Sequence, residues 1–233
     1  MTRSTDRARV IVVPGLAVRA YAELPVQHLG DNGYDATLLQ PPAWRGVERD
    51  LERYGRNLAA EIDRDGAPID VLIGLSAGTQ AAAVAASLTD LVQRLVLVSP
   101  TIDPAYRSMI KQSLVFVRGD PHDKAAFLSQ VPDWSRAGIP RIFRGFASAI
   151  ALHLEDVLPK VRAEVTIIHT EHDPLTTHAY AASLAEINGA RLVLMPGASH
   201  SWPKADSARF LRFINELLRR ASGREGDGCC LDD

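Results

Sequence analysis

The chain has 233 residues, of which 46% are hydrophobic and 23% are charged, and its formal net charge is −2. This composition is typical of a soluble globular protein, and it excludes collagen, coiled coil and wholesale disorder. Because 26 basic residues are balanced by 28 acidic ones, we expect no nucleic-acid partner. The length suffices for one large domain, alone or with an insertion.

The cysteines and the hydropathy pattern bear on where the protein works. Its two cysteines, Cys229 and Cys230, are adjacent. They cannot form a disulfide framework or a four-ligand zinc site, which favours a cytoplasmic location. No apolar run reaches the roughly 18 residues of a membrane span. Residues 10–18 are apolar, but Pro14-Gly15 interrupts them and no cleavage motif follows, so we expect no removable signal.

Six short apolar segments, rich in β-branched residues, recur along the chain and end in turn residues. Continuous apolar runs of this length predict buried parallel strands. The six segments are residues 8–13, 34–40, 69–75, 95–99, 164–169 and 191–195.

Helical periodicity lies between most of these segments. Residues 177–188 predict a helix with Thr176 or Thr177 as N-cap and Asn188-Gly189 at its end. The last helix is expected from about Pro203 to Arg220. An earlier helix is predicted by an apolar stripe at spacings of three and four, namely Val47, Leu51, Tyr54, Leu58 and Ile62.

The alternation of strands and helices predicts an α/β fold with a mostly parallel sheet of about six strands flanked by helices. One connection, between Ser99 and Glu164, is longer than a crossover needs, so it must hold extra structure. We predict a helical lid at residues 101–160, or else a helical excursion with its own small core. The core domain then comprises residues 1–100 and 161–221, and residues 222–233 form a flexible tail. Six of the 14 aromatic residues fall in the predicted lid: Tyr106, Phe116, Phe127, Trp134, Phe143 and Phe146.

The motif Gly74-Leu75-Ser76-Ala77-Gly78 follows a predicted strand and opens an alanine-rich helix. This G-x-S-x-G pattern in a strand–turn–helix context is typical of a nucleophilic serine on a sharp turn. The flanking glycines leave room where a Cβ would clash, and the helix N-terminus favours developing negative charge. The structural alternative is a glycine-rich turn with an incidental serine.

A serine nucleophile needs a base and an acid that orients the base. His200 follows the last predicted strand, and Asp173 follows the one before it. Because the carboxyl ends of parallel strands share one edge of a sheet, Ser76, Asp173 and His200 can converge there. Taken singly, His200 could be a surface-loop histidine and Asp173 a helix cap or turn residue.

At these residues the chain resembles the α/β-hydrolase superfamily, over nearly its whole length except the predicted lid and tail. Besides the Gly74–Gly78 turn, residues 158–163, 171–175 and 196–200 look like the family's lid exit, acid turn and histidine turn. The resemblance implies that Ser76 is the nucleophile, His200 the base and Asp173 the acid.

The resemblance also implies an oxyanion hole made of two backbone N–H groups. One belongs to Ala77, and the other comes from the first loop, from Leu16 or else Ala17. The alternative arises because this chain has Pro14-Gly15 where many members have His-Gly.

Other residues are weaker candidates for the site. Asp103 lies where some family members place the acid. His169 and His172 lie on either side of a strand-to-turn junction and not on one helix face, so we predict no metal site. The sequence has no glycine-rich dinucleotide-binding motif and no phosphate-binding loop, so we predict no cofactor. Trp44 and Trp202 could line the pocket mouth or pack in the core. Five arginines could hold an anionic group or form a solvated face: Arg107, Arg118, Arg136, Arg141 and Arg144.

These observations together predict a lidded serine hydrolase that cleaves a carboxylic ester or a related acyl compound. The expected substrate is a small molecule with an apolar acyl or aromatic group. The same triad also serves thioesterases, lactonases and carbon–carbon bond hydrolases or lyases, and some members of the fold are ligand receptors. The residues expected to wall the pocket are Tyr106, Phe116, Trp134 and Phe146.

Overall fold

The computed structural model of the protein describes residues 7–118 and 129–221, without the side chains of residues 113, 115–118, 220 and 221. The predicted tail at residues 222–233 lies outside these ranges.

All six predicted strands are present, and they form one sheet. Each neighbouring pair is parallel, in the order β2-β1-β3-β4-β5-β6. The central strands are buried on both faces, as expected when helices cover both sides of a parallel sheet. The strands are β1 (Arg9–Val13), β2 (Asp35–Leu38), β3 (Val71–Leu75), β4 (Arg94–Val98), β5 (Glu164–His172) and β6 (Arg191–Ser199).

Helices cover the sheet and fill the long connection after β4. None of the described helices is both long and apolar enough to cross a membrane. In chain order they are α1 (Ala20–Asp31), α2 (Leu51–Asp65), α3 (Gly78–Leu88), α4 (Met109–Arg118), α5 (Val131–Ala137), α6 (Ile139–Ala151), α7 (Leu154–Val157), α8 (His178–Asn188), α9 (Trp202–Ala205) and α10 (Ser207–Ala221), with short 3-10 turns at Pro104–Tyr106 and Leu158–Lys160.

The predicted ends of the helix at residues 177–188 agree with the structure, whereas Val47 of the predicted stripe precedes α2, which begins after its N-cap Asp50, and the last helix is broken. Thr177 caps α8 by accepting the Tyr180 N–H, and Gly189 ends that helix in the left-handed conformation. The last helix was predicted as continuous, but the chain breaks it at Asp206. The Asp206 backbone is not helical, and its carboxylate accepts the Arg209 N–H at 2.9 Å. The break therefore arises because Asp206 caps the start of α10.

Strand β6 continues beyond the predicted end at Met195. Pro196 and Gly197 belong to this strand, which is possible because β6 lies at the edge of the sheet and proline needs no ladder partner there. The register between β5 and β6 shifts before His172 pairs with Ser199. This irregularity carries both strands on to the residues just before Asp173 and His200.

Residues 101–160, the insertion, pack against the core at several points. The Asp133 carboxylate of α5 accepts the backbone N–H groups of Arg19 and Ala20, both at 2.8 Å. These N–H groups lie at the start of α1, where the side chain of the N-cap residue makes no capping hydrogen bond. The Ser148 hydroxyl of α6 likewise accepts the Leu51 N–H at the start of α2. The insertion thus supplies a polar partner at the start of α1, which has no side-chain cap, and a further one at the start of α2, where Asp50 also accepts the Arg53 N–H.

Candidate active site

Ser76 lies on a strained turn between β3 and α3. Its φ is +53°, in the left-handed region that side chains other than glycine rarely adopt. The Ser76 N–H donates to the Val98 carbonyl at 2.9 Å, and its own carbonyl accepts the Thr79 N–H at 3.0 Å. These two hydrogen bonds hold the residue in a conformation that presents its side chain beyond the strand end.

The two glycines of the motif allow close backbone approaches. A Cβ on Gly74 would lie 2.6 Å from the Thr79 Cα, inside any allowed contact. A Cβ on Gly78 would lie 2.4 Å from the carbonyl oxygens of Val13 and Pro14. The turn can therefore pack against β1 and α3 only when both positions are glycine.

The side chains of Ser76, His200 and Asp173 form a continuous hydrogen-bonded chain. The His200 Nε2 lies 2.9 Å from the Ser76 Oγ. The His200 Nδ1 lies 2.9 Å from Asp173 Oδ2 and 3.0 Å from Oδ1. The Asp173 side chain is fully buried, whereas the His200 side chain is 14% exposed. The pairing of His172 with Ser199 brings the acid and the histidine side by side.

The environment of Asp173 favours its ionised form. Burial alone would raise the pKa of Asp173, but the nearby His200 ring and the Leu175 N–H, at 2.9 Å, hold the pKa below its ordinary value. An ionised carboxylate can only accept hydrogen bonds, so the His200 Nδ1 must donate to it. The Nε2 of a neutral His200 then carries no proton, so it can accept the proton of the Ser76 hydroxyl.

Asp103, the alternative position for the acid, has other partners. Its carboxylate accepts the Ala105 N–H at 2.7 Å, the Thr177 N–H at 2.9 Å and the Thr177 hydroxyl at 2.5 Å. These bonds join the turn after β4 to the start of α8. Asp103 therefore serves as a structural cap and not as a partner of His200.

Most backbone N–H groups of the first loop, between β1 and α1, donate hydrogen bonds within the protein. The Ala17 N–H donates to the Pro42 carbonyl at 2.9 Å, and the Gly15 N–H donates to the Tyr21 hydroxyl, also at 2.9 Å. Within the described residues the N–H groups of Leu16 and Ala77 have no acceptor. Both residues line the cavity next to Ser76. Of the two first-loop candidates, Leu16 is thus the one whose amide is free.

A cavity of about 120 Å³ opens at Ser76 and His200. Trp134 of α5 and Phe146 of α6 line it, as predicted. Tyr106 does not line it, contrary to the prediction, because the 3-10 turn after β4 leaves this residue outside the cavity wall. The side chain of Phe116 lies outside the described part of the structure.

Several polar residues at the cavity were not predicted from the sequence. They include Tyr21 of α1, Gln112 of α4, Gln130 before α5 and Ser201 before α9. No local motif marks them, since each comes to the cavity through the packing of its element. Burial raises the pKa of Tyr21 well above its ordinary value, and the Gly15 N–H only partly offsets this, so the hydroxyl stays protonated.

The remaining aromatic candidates do not line the cavity. Trp202 is 2% exposed and packs against Phe210 in the core, with ring centroids 5.8 Å apart. The Trp44 indole N–H donates to the Ala17 carbonyl at 3.3 Å. His169 is buried beside His178, with ring centroids 5.5 Å apart.

Three arginines of the insertion, Arg107, Arg136 and Arg141, have partners away from the cavity, and Arg144 is exposed. Arg107 pairs with Glu155 at 2.7 Å. Arg141 donates to backbone carbonyls of the loop before α2, including that of Trp44 at 2.9 Å. Among the described residues, no arginine of the insertion lines the cavity, and the side chain of Arg118 lies outside this set. The structure gives no support for an anion-binding arginine cluster here.

The sequence model of the alpha/beta hydrolase family matches residues 10–213 of this chain. This range includes the six strands, apart from Arg9 at the start of β1, and the three residues of the hydrogen-bonded chain, so the protein belongs to the alpha/beta hydrolase family. No curated protein matches the chain.

Solved structures share the fold at low sequence identity. An alpha/beta hydrolase enzyme from a sediment metagenome of the Mar Chica lagoon, Morocco, has a TM-score of 0.71 at 16% identity, covering 93% of both chains. An enol-lactonase from Burkholderia xenovorans has a TM-score of 0.71 at 15% identity and the same coverage. An esterase from a Rhodococcus species has a TM-score of 0.66 at 17% identity, covering 91% of this chain and 90% of its own.

Proposed function

We propose that the protein is a serine hydrolase that cleaves carboxylic esters or related acyl compounds through an acyl-enzyme. One observation carries the proposal: Asp173, His200 and Ser76 are joined by hydrogen bonds of about 2.9 Å, and the last two open into a cavity. A strained serine, a histidine whose Nε2 faces the serine hydroxyl and an ionised carboxylate are the parts that nucleophilic acyl transfer needs.

The chemistry proceeds in two halves. The Ser76 Oγ attacks the acyl carbon while the His200 Nε2 takes its proton. The resulting oxyanion accepts hydrogen bonds from the N–H groups of Leu16 and Ala77, which have no other acceptor among the described residues. The carbonyl reforms as the bond to the leaving group breaks, and His200 protonates the departing alcohol. Water, deprotonated by His200, then cleaves the acyl–Ser76 bond in the same way.

The insertion is proposed to act as the lid of this site. It contributes Trp134 and Phe146 to the cavity wall, and both present apolar surface near Ser76. An apolar acyl or aromatic group of modest size suits a cavity of about 120 Å³. No charged side chain of the described insertion residues lines the cavity, which favours an uncharged acyl group.

Activity-based labelling tests the proposed function. We expect a fluorophosphonate probe to label the protein once, and mass spectrometry of the peptides to locate the adduct on Ser76. A panel of p-nitrophenyl esters, a thioester and a lactone should then show which acyl class turns over fastest. A protein that binds esters but is neither labelled nor active would be a ligand receptor of this fold, and the hydrolase proposal would be wrong.

The cavity wall leads to a prediction about acyl size. Trp134→Ala and Phe146→Ala should each shift the preferred p-nitrophenyl ester toward longer acyl chains, because each removes apolar bulk beside Ser76. Burial of one methylene stabilises by about 0.8 kcal/mol, so each added carbon that fits should raise kcat/KM about fourfold.

Tyr106→Ala is the matched control, because Tyr106 belongs to the same insertion but does not line the cavity. Its chain-length profile should superimpose on that of the wild type. If the Trp134 and Phe146 variants also superimpose on the wild type, these side chains do not shape the acyl site.

A further inference from the structure

The Tyr21 hydroxyl contacts the loop that holds Leu16. Tyr21 lies on α1, is 5% exposed and lines the cavity. Its hydroxyl accepts the Gly15 N–H at 2.9 Å. A buried tyrosine hydroxyl is costly unless it is hydrogen-bonded, and here its partner is the backbone one residue before Leu16.

This hydroxyl is also close to the reacting serine. A Cβ placed on Gly15 would lie 2.8 Å from the Tyr21 hydroxyl oxygen and 3.3 Å from the Ser76 Cβ. The Tyr21 hydroxyl and Ser76 therefore both lie against Gly15. A larger residue at position 15 would force the hydroxyl away from the loop.

Three successive peptide groups around Leu16 have fixed partners. Tyr21 accepts the N–H of the Pro14–Gly15 peptide. The Gly15 carbonyl, in the same peptide group as the Leu16 N–H, accepts the Val18 N–H at 3.4 Å. The Ala17 N–H, in the next peptide group, donates to the Pro42 carbonyl at 2.9 Å.

These bonds leave the Leu16 N–H as the loop amide without an acceptor in the described structure. Of the three partners, the Tyr21 hydroxyl is a side-chain group and the other two belong to the backbone. The Tyr21 hydroxyl can therefore be removed by substitution without changing the main chain.

We propose that Tyr21 is a positioning residue for the oxyanion hole: by accepting the Gly15 N–H, its hydroxyl holds the first loop so that the Leu16 N–H faces the acyl oxygen. The inference rests on the proposed function of Ser76. It adds a side chain from α1 to the groups that lie at the strand ends.

Tyr21→Phe tests this role, because it removes the hydroxyl alone. Loss of one oxyanion donor costs a hydrolase about 100-fold or more in kcat, so a misaligned donor should cost about tenfold. We expect kcat for p-nitrophenyl acetate to fall about tenfold with KM changed less than twofold. The inhibition constant of a trifluoromethyl ketone, which forms a tetrahedral oxyanion on the serine, should rise by a similar factor.

Tyr54→Phe is the matched control. Tyr54 is 9% exposed, and its hydroxyl donates to the Gln40 carbonyl at 2.8 Å, outside the cavity. Both variants should lose comparable stability in thermal unfolding, but Tyr54→Phe should keep the wild-type kcat. If Tyr21→Phe does not fold, Gly15→Ala gives a second test: its Cβ would displace the Tyr21 hydroxyl but would also lie 3.3 Å from the Ser76 Cβ, so an unchanged kcat in this variant would overturn the role of Tyr21.

The possible outcomes separate the two proposals. A wild type that is neither labelled nor active would overturn the proposed function itself. An active wild type with an equally active, folded Tyr21→Phe or Gly15→Ala would overturn only the role of Tyr21. Equal losses of kcat in Tyr21→Phe and Tyr54→Phe would likewise reduce Tyr21 to a structural residue.

Discussion

Replacing Ser76 by alanine should abolish fluorophosphonate labelling and lower kcat for p-nitrophenyl acetate by about four to six orders of magnitude. The reason is that the variant has no oxygen to attack the acyl carbon, so the acyl-enzyme cannot form. The residual rate reflects only binding and the remaining oxyanion donors. The measurement is steady-state hydrolysis, with labelling as a second readout.

The fold should survive this substitution. The backbone of residue 76 is held by Val98 and Thr79 through main-chain groups that alanine keeps. Ser99→Ala is the comparison variant, because Ser99 also has a positive φ, of 50°, at the end of the next strand, and its hydroxyl only helps to hold the pKa of Asp173 low. That variant should still be labelled, and its kcat should fall less than tenfold. Labelling that persists in Ser76→Ala would place the nucleophile elsewhere.

Replacing Asp173 by asparagine should lower kcat by about 10⁴-fold. An asparagine can turn its amide N–H toward the His200 Nδ1. The imidazole ring then carries its proton on Nε2, and a protonated Nε2 cannot accept the proton of the Ser76 hydroxyl. The side chain keeps its size, so packing changes little. The variant should still be labelled by fluorophosphonate, but far more slowly, because the serine remains without an effective base.

Asp103→Asn is the comparison that distinguishes the two possible acids. Asp103 contacts Ala105 and Thr177 and not His200. We expect its kcat to fall less than tenfold and its free energy of unfolding to fall by about 1–3 kcal/mol, since hydrogen bonds to a buried charge are weakened. If Asp103→Asn were the more damaging to kcat, the acid would lie at the end of β4.

The pKa of Asp173 adds a dependence of stability on pH. Its value in the folded protein is below the ordinary one, because the His200 and Leu175 contacts outweigh the effect of burial. The ionised side chain therefore stabilises the fold above the ordinary carboxyl pKa, and this contribution is lost as the pH falls through the lower folded value. In denaturant unfolding, the stability difference between wild type and Asp173→Asn should shrink across that acidic range.

The sheet and the order of the site residues could be predicted because both depend on local patterns. Each buried strand is a continuous apolar run that ends in turn residues, and such a run has few alternatives to a central parallel strand. The glycines around Ser76 were informative for a similar reason, since their close contacts with β1 and α3 exclude a Cβ. Parallel strands share one carboxyl edge, so the positions of Asp173 and His200 followed from the strand pattern.

Local patterns were less informative at element ends and in the insertion. β6 extends past Pro196 because of a register shift in its pairing with β5. The helix break at Asp206 depends on the capping hydrogen bond to the Arg209 N–H, which a continuous apolar stripe does not reveal. Of the aromatic residues expected at the cavity wall, Trp134 and Phe146 line the cavity and Tyr106 does not. Composition does not determine which side of a turn faces the site.

The chain alone thus determined the α/β architecture, the three residues that meet at the strand ends and the presence of an inserted helical segment. Only the tertiary structure decided that Asp133 supplies the cap of α1, that Leu16 and not Ala17 has the free amide, and that the Tyr21 hydroxyl accepts the Gly15 N–H. The physical reason is that periodicity and turn chemistry act within a few residues, whereas these contacts depend on how whole elements pack. Buried polar groups must then find partners wherever that packing places them.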